Sequence, residues 1–184
     1  MKRILLLLVY AFLLIPAFSF AQDFEETRRA AESGDPIAQY NLGLMYHDGQ
    51  GVPQDYAEAV KWFRKAAEQG FALAQSNLGQ MYYDGQGVPQ DYAKAVKWYR
   101  KAAEQGNLQA QYNLGVMYES GQVVPQNYSD AYVWFSLAAA SGHENGTINR
   151  DVAAERLTPR ALAAAQRRAA TLFKEIEARK AARN

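Results

Sequence analysis

The chain has 184 residues, 20 Lys and Arg against 19 Asp and Glu for a formal charge of +1, and no cysteine. Zero Cys excludes a disulfide framework, thiol catalysis and cysteine metal sites. The near-neutral balance provides no overall field to draw the protein to nucleic acid.

Met1, Lys2 and Arg3 precede an apolar run from Ile4 to Ile15, followed by Pro16 and small residues ending Ser19, Phe20, Ala21. This is the layout of a secretory signal peptide, and cleavage is expected after Ala21. The run is short for a membrane span and polar sequence follows at once. Cleavage would leave 163 of the 184 residues, one domain's worth, exported to the periplasm or the medium and not integral to a membrane. Charge in that mature chain is uneven. Residues 22–155 carry 10 basic and 17 acidic side chains, whereas 156–184 carry 8 and 2, so an acidic body ends in a basic tail.

The block from Asp35 to Gly70, 36 residues, is written again from Phe71 to Gly106 with 8 substitutions, and a third, looser time from Asn107 to Gly142. Self-similarity at this period marks a stack of supersecondary units, none of which buries its apolar face alone. Each block predicts two antiparallel helices, and hence an all-α solenoid. In the first block Asp35 caps a helix with Pro36 at its first position, and the helix ends near Gly49. Pro53 forces Val52 into extended backbone, and Val52 is expected to plug the hairpin end. Asp55 with Glu58 reads as a capping box for a second helix running to Gly70.

Eighteen positions are identical in all three copies. They include Ala38, Gln39, Asn41, Leu42, Gly43, Met45 and Tyr46 in the first helix, and Tyr56, Ala59, Trp62, Ala66 and Ala67 in the second. Spacings 38, 42, 45 and 59, 62, 66 give one packing stripe per helix. A helical glycine costs on the order of 1 kcal/mol against alanine. Its repetition at Gly43, Gly79 and Gly115 therefore predicts a neighbour too close for a side chain. Trp62, Trp98 and Trp134, at the same period, are expected in the core and not on a sugar-stacking face.

The run AQYNLGLMYHDGQGVPQDYAEAVKWFRKAAEQG resembles a Sel-one-like repeat, the longer-looped cousin of the tetratricopeptide repeat. Family features fall on Ala38, Leu42, Gly43, Tyr46, Gly49, Gly51, Val52, Asp55, Ala59, Trp62, Ala66, Ala67 and Gly70, and again 36 residues later. The third copy keeps Ala110, Leu114, Gly115, Tyr118, Gly121, Ala131, Trp134 and Gly142, but Val123 replaces the loop glycine and Asn127 the aspartate. The resemblance covers residues 35–142 and implies adaptor roles in complex assembly; exported bacterial members are associated with envelope processes and host interaction.

The ends read as caps. Residues 22–34 align with the tail of a second helix, and Asn149 still matches Asn41 in a degenerate unit beyond Gly142. Thr158 and Pro159 then start a helix of about 22 residues with Leu162, Ala165, Ala169, Leu172 and Ile176 on one stripe, an amphipathic lid. The third copy reads Val133, Ser136 and Leu137 where the first carries Lys61, Arg64 and Lys65, so a neighbour is expected there.

Half of the 8 differences between the first two copies fall at 37, 40, 44 and 47, one face of the first helix. The three sets are Ile37, Tyr40, Leu44, His47; Leu73, Ser76, Gln80, Tyr83; and Gln109, Tyr112, Val116, Glu119. Lining a concave face, they would form a partner groove for a protein or peptide; solvent-facing drift is the competing reading. No cofactor is indicated. His47 and His143 lie in different repeats without paired ligands at metal spacing, so no metal site is expected. The run Asp48, Gly49, Gln50, Gly51 lacks the alternating oxygen ligands of a calcium loop. No GxSxG, HExxH or phosphate loop occurs, and the protein is read as a non-enzymatic, monomeric scaffold. Two alternatives stand beside it. Some exported relatives are described as β-lactam binding or hydrolysing, though those are cysteine-rich. Separately, Arg160, Arg167, Arg168, Lys174, Arg179 and Lys180 could meet an anionic envelope polymer, or simply form a solvated helix face.

Overall fold

A computed structural model describes residues 23–121 and 125–182. The expected leader over residues 1–21 and the loop substitution at Val123 lie outside these residues. Described residues 23–32 are helical and are called α1. They are followed by α2 (Pro36–Asp48), α3 (Tyr56–Glu68), α4 (Ala72–Asp84), α5 (Tyr92–Ala103), α6 (Leu108–Ser120), α7 (Tyr128–Ala140), α8 (Gly146–Glu155) and α9 (Pro159–Ala181). The class is all-α, a solenoid of helix hairpins. The chain divides into two compact units: one runs up to Phe71 and includes Gln86–Val88, the other comprises Ala72–Gly85 and the chain from Pro89 onward.

In the first unit, α2 begins where Asp35 Oδ1 accepts the Ile37 and Ala38 amides at 2.7 and 3.1 Å, with Pro36 next, and it ends on Gly49 at φ 71°. Asp55 caps α3 through the Ala57 and Glu58 amides at 2.9 and 3.0 Å. The expected capping box does not close. The Asp55 amide instead donates to the Tyr46 carbonyl at 2.8 Å, and the Glu58 carboxylate takes Lys61 Nζ at 3.0 Å. The last turn of α2 leaves carbonyls without helical partners, and Tyr46 supplies one of them to the start of α3. Gln54 adds a second stitch, its Nε2 donating to the His47 carbonyl at 2.7 Å. Ala31, Ala38, Leu42 and Trp62 form the buried centre, with Phe24, Ala30 and Tyr46 packed against it.

The second unit repeats this hairpin with its own residues. The Asp91 amide meets the Tyr82 carbonyl at 2.9 Å, and the Asn127 amide meets that of Tyr118 at 2.9 Å. Gln90 and Gln126 bind the carbonyls of Tyr83 and Glu119, each at 2.8 Å. Helix α4 pairs with α5, α5 packs on α6, α6 pairs with α7, and α7 is flanked by α8 and α9. Thr158 Oγ1 caps α9 by accepting the Ala161 amide at 3.3 Å. Ala165, Ala169 and Ile176 of α9 are buried, as are Val133 and Leu137 of α7, two of the three positions that had lost their charges; the third, Ser136, is half-buried.

The repeated glycines mark the tightest approaches. A Cβ at Gly43 would lie 2.6 Å from the Phe63 ring, one at Gly79 2.8 Å from Tyr99, and one at Gly115 2.5 Å from Phe135. All three rings are buried, so each is worth about 1.5–3 kcal/mol of burial that a methyl group in its path would disturb.

The invariant glutamine of each first helix is also buried, a polar residue set inside the stack. Gln39 donates to the Ala31 carbonyl at 3.2 Å and accepts from Gln69 Nε2 at 2.8 Å. In the second unit Gln75 accepts from Gln105 at 2.7 Å, while Gln111 donates to the Ala103 carbonyl at 3.1 Å and accepts from Ser141 Oγ at 3.1 Å. Full hydrogen bonding is what makes such a side chain tolerable in a core.

Candidate functional site

The twelve stripe residues fall on α2, α4 and α6, and each unit places its own set. In the first unit Ile37 is 57% exposed and Leu44 half-buried. Tyr40 is not a free groove residue: its ring packs against Phe63 and Phe71, with centroids 5.8 and 5.3 Å away. His47 lies against Tyr56 at 5.3 Å, and its Nδ1 is 2.6 Å from Asp48 Oδ1.

In the second unit Leu73 is 47% exposed, and Gln80 and Gln109 are exposed. Tyr83, Tyr112, Val116 and Glu119 are half-buried. Ser76 departs from expectation. It is 6% exposed, because a side chain ending at Oγ stays beneath its longer neighbours and offers a partner nothing. Tyr112 is held on two sides, stacked on His143 at 4.0 Å and 11° and tilted on Phe135 at 5.6 Å, while its hydroxyl accepts Asn149 Nδ2 at 3.1 Å.

Four stripe residues of this unit, Gln80, Tyr83, Tyr112 and Val116, line one cavity of about 260 Å³. Tyr99, Asn113 and Met117 complete its wall. Sequence reasoning missed these three: Asn113 and Met117 occupy invariant positions assigned to scaffold, and Tyr99 stands where the other copies have buried Phe63 and Phe135. The signal was present in the pairing of two substitutions. Phe63 becomes Tyr99 in the same copy in which Leu44 becomes Gln80. The Tyr99 hydroxyl donates to Gln80 Oε1 at 2.6 Å, and Asn113 Nδ2 approaches the same oxygen at 3.4 Å. Burial pushes the Tyr99 phenol well above its ordinary range, so it stays a neutral donor. Gln80 Nε2 donates in turn to Asp84 Oδ2 at 2.8 Å, and Gln109 Nε2 to Asn113 Oδ1 at 3.0 Å.

These side chains hold positions and present amides, phenols and apolar walls. Among the described residues no group of three or more His, Cys, Asp or Glu is placed to hold a metal ion. No helix among them is long and apolar enough to cross a membrane.

Hairpins closed from helix end to helix start and glycines under aromatic rings define a helical-repeat solenoid. The Sel1 repeat profile matches residues 36–71, 72–107 and 108–143, more than half of the chain, one residue later than the blocks read from the sequence. The chain belongs to the Sel1 repeat family. Among solved structures it resembles c5321, described as a protective antigen present in uropathogenic Escherichia coli strains displaying an SLR fold. That match has 50% identity and a TM-score of 0.66, covering 67% of this chain and 26% of that one. A Sel1 repeat protein from Oxalobacter formigenes matches at 37% identity and TM-score 0.67, over 71% of this chain and 53% of its own. A sel1-like repeat-containing protein L18 of Acanthamoeba polyphaga mimivirus is 45% identical over 38 residues, 21% of this chain and 6% of that protein. The chain thus spans about half or less of the length of these relatives. Sel1-repeat proteins generally mediate protein–protein interaction, and their fold is typically a non-catalytic scaffold.

Proposed function

We propose that this protein is an exported scaffold that binds a protein or extended peptide through the stripe of its first helices, with the face of α4 and α6 as the centre of binding. One observation carries the reading. Residues at the first-helix positions that vary between the repeats, Gln80, Tyr83, Tyr112 and Val116, come together around one accessible cavity. Drift on a solvated face would not keep Gln80 matched to Tyr99, nor anchor Tyr112 on His143. Periplasmic or extracellular location rests on the leader-like first residues.

The polymer-binding alternative draws less support, because much of the basic helix is occupied internally. Arg168 pairs with Asp130 at 2.8 Å, Arg179 reaches the Glu104 carbonyl at 3.4 Å, and Lys180 pairs with Glu177 at 2.8 Å. No contact among the described residues favours β-lactam chemistry.

The test uses the mature protein as crosslinking bait against the exported fraction. Val116→Trp fills the cavity and Tyr83→Ala opens its wall. Both should lose the recovered partner while circular dichroism stays unchanged. Equal recovery with intact helicity would remove the groove.

A further inference from the structure

We infer that the cavity between α4, α5 and α6 accepts one apolar side chain of an extended cationic segment, in which Lys or Arg flanks the anchor residue. This rests on the groove reading and gives its partner a chemistry.

The size of the cavity comes first. About 260 Å³ is below the range of small-molecule sites, and suits a single Leu- or Phe-sized side chain. Its walls offer Val116, Met117 and the rings of Tyr83 and Tyr112 to that side chain. Gln80 and Asn113 supply amides at its edge, suited to the peptide groups on either side.

The rim sets the charge. Neither α4 nor α6 contains a Lys or Arg. Asp84 closes α4 and touches Gln80, and Glu119 lies one turn beyond Val116 near the end of α6. Neither carboxylate forms an ion pair among the described residues. Both helices also end here, and helix C-termini carry partial negative charge of the same sign. Three of the four cations of α5 are engaged elsewhere. Lys94 is held by Asp91 at 2.9 Å, Arg100 donates to the Tyr118 hydroxyl, and Lys101 sits over the Trp98 ring at 4.7 Å. An acidic segment entering the cavity would bring like charges together, whereas a cationic one meets carboxylates that no Lys or Arg holds, and complementarity of this kind governs encounter and partner choice.

The experiment measures fluorescence anisotropy of the mature protein with three labelled peptides that share alternating Leu and Phe and carry Lys, Ser or Glu between them. The Lys peptide should bind most tightly and weaken several-fold at roughly 0.5 M NaCl. Asp84→Asn with Glu119→Gln should weaken the Lys peptide about fivefold and leave the Ser peptide unchanged. Val116→Trp should abolish binding of both. Equal binding of Lys and Ser peptides, blocked by Val116→Trp, would overturn the cationic assignment and leave the groove standing. Peptide binding that ignores Val116→Trp would overturn the groove as well. Failure of all three peptides to bind, or self-association that Val116→Trp disrupts without any affinity for the Lys peptide, would also overturn the assignment.

Discussion

The Tyr99 hydroxyl donates to the Gln80 side-chain carbonyl at 2.6 Å, and across the repeats the two positions change as a pair: Leu44 with Phe63, Gln80 with Tyr99, Val116 with Phe135. Where the second helix carries a plain ring, the first carries an aliphatic side chain. Where the ring gains a hydroxyl, its neighbour becomes an acceptor. Tyr40 with Phe71 and Tyr112 with His143 show the same coupling one turn earlier on the stripe. The variable face is therefore tuned from beneath, and its differences are structural commitments as well as contact residues.

Gln80→Leu should destabilise the protein by about 1–3 kcal/mol, because it removes the close acceptor of a buried hydroxyl. Tyr99→Phe alone should cost less, and the double variant, which rebuilds the Leu44 and Phe63 pair, should recover most of the loss. Urea unfolding of the four proteins in a double-mutant cycle reads the coupling; additive effects would show that the bond contributes nothing.

The same phenol makes stability fall at alkaline pH. Burial raises its folded pKa above the ordinary value of 10.0, while the unfolded chain ionises at that value. Stability present below pH 10 is then lost as pH rises past it, with a slope of up to about 1.4 kcal/mol per pH unit for one such group. Tyr46, also raised by burial, contributes to the loss, so Tyr99→Phe should reduce the slope without removing it. Unfolding titrations between neutral and alkaline pH check this.

Gly43→Ala offers two opposing effects. Helix propensity favours alanine by about 1 kcal/mol, but a Cβ 2.6 Å from the Phe63 ring forces repacking at about 1–3 kcal/mol. Net destabilisation is expected, seen as a lower melting temperature. Phe63→Leu in the same background should soften it, since a smaller side chain vacates the contact.

Ile176→Ala tests how firmly the last helix is seated. Ile176 is 2% exposed although it lies near the end of α9, and its Cγ2 is 3.1 Å from where a Gly106 Cβ would stand. Truncation should cost about 2–4 kcal/mol. Phe173→Ala, 38% exposed on the same helix, should cost much less, and similar losses for both would mean that the helix end is not specifically packed.

Period, caps and stripes were legible along the chain because they are local. Asp35 with Pro36, Gly49, Asp55 and Thr158 act through atoms a few residues apart, and the glycine at 43, 79 and 115 was readable as a close approach because nothing else repays its cost. The capping box at Asp55 and Glu58 was misread for the converse reason, since the Tyr46 carbonyl that takes the Asp55 amide comes from the preceding helix. Ser76 looked like a groove residue by position, but its burial depends on the length of its neighbours.

Thus the amino-acid sequence by itself determined the helical repeat, its 36-residue register and the face on which the copies differ, because hydrophobic period and capping chemistry are written within one or two turns. Tertiary structure decided which of those variable residues share a cavity, that Tyr99 belongs to it, and that Asp84, held against its Gln80, forms no ion pair among the described residues. Those facts depend on distances between helices, and no spacing along a single helix encodes them.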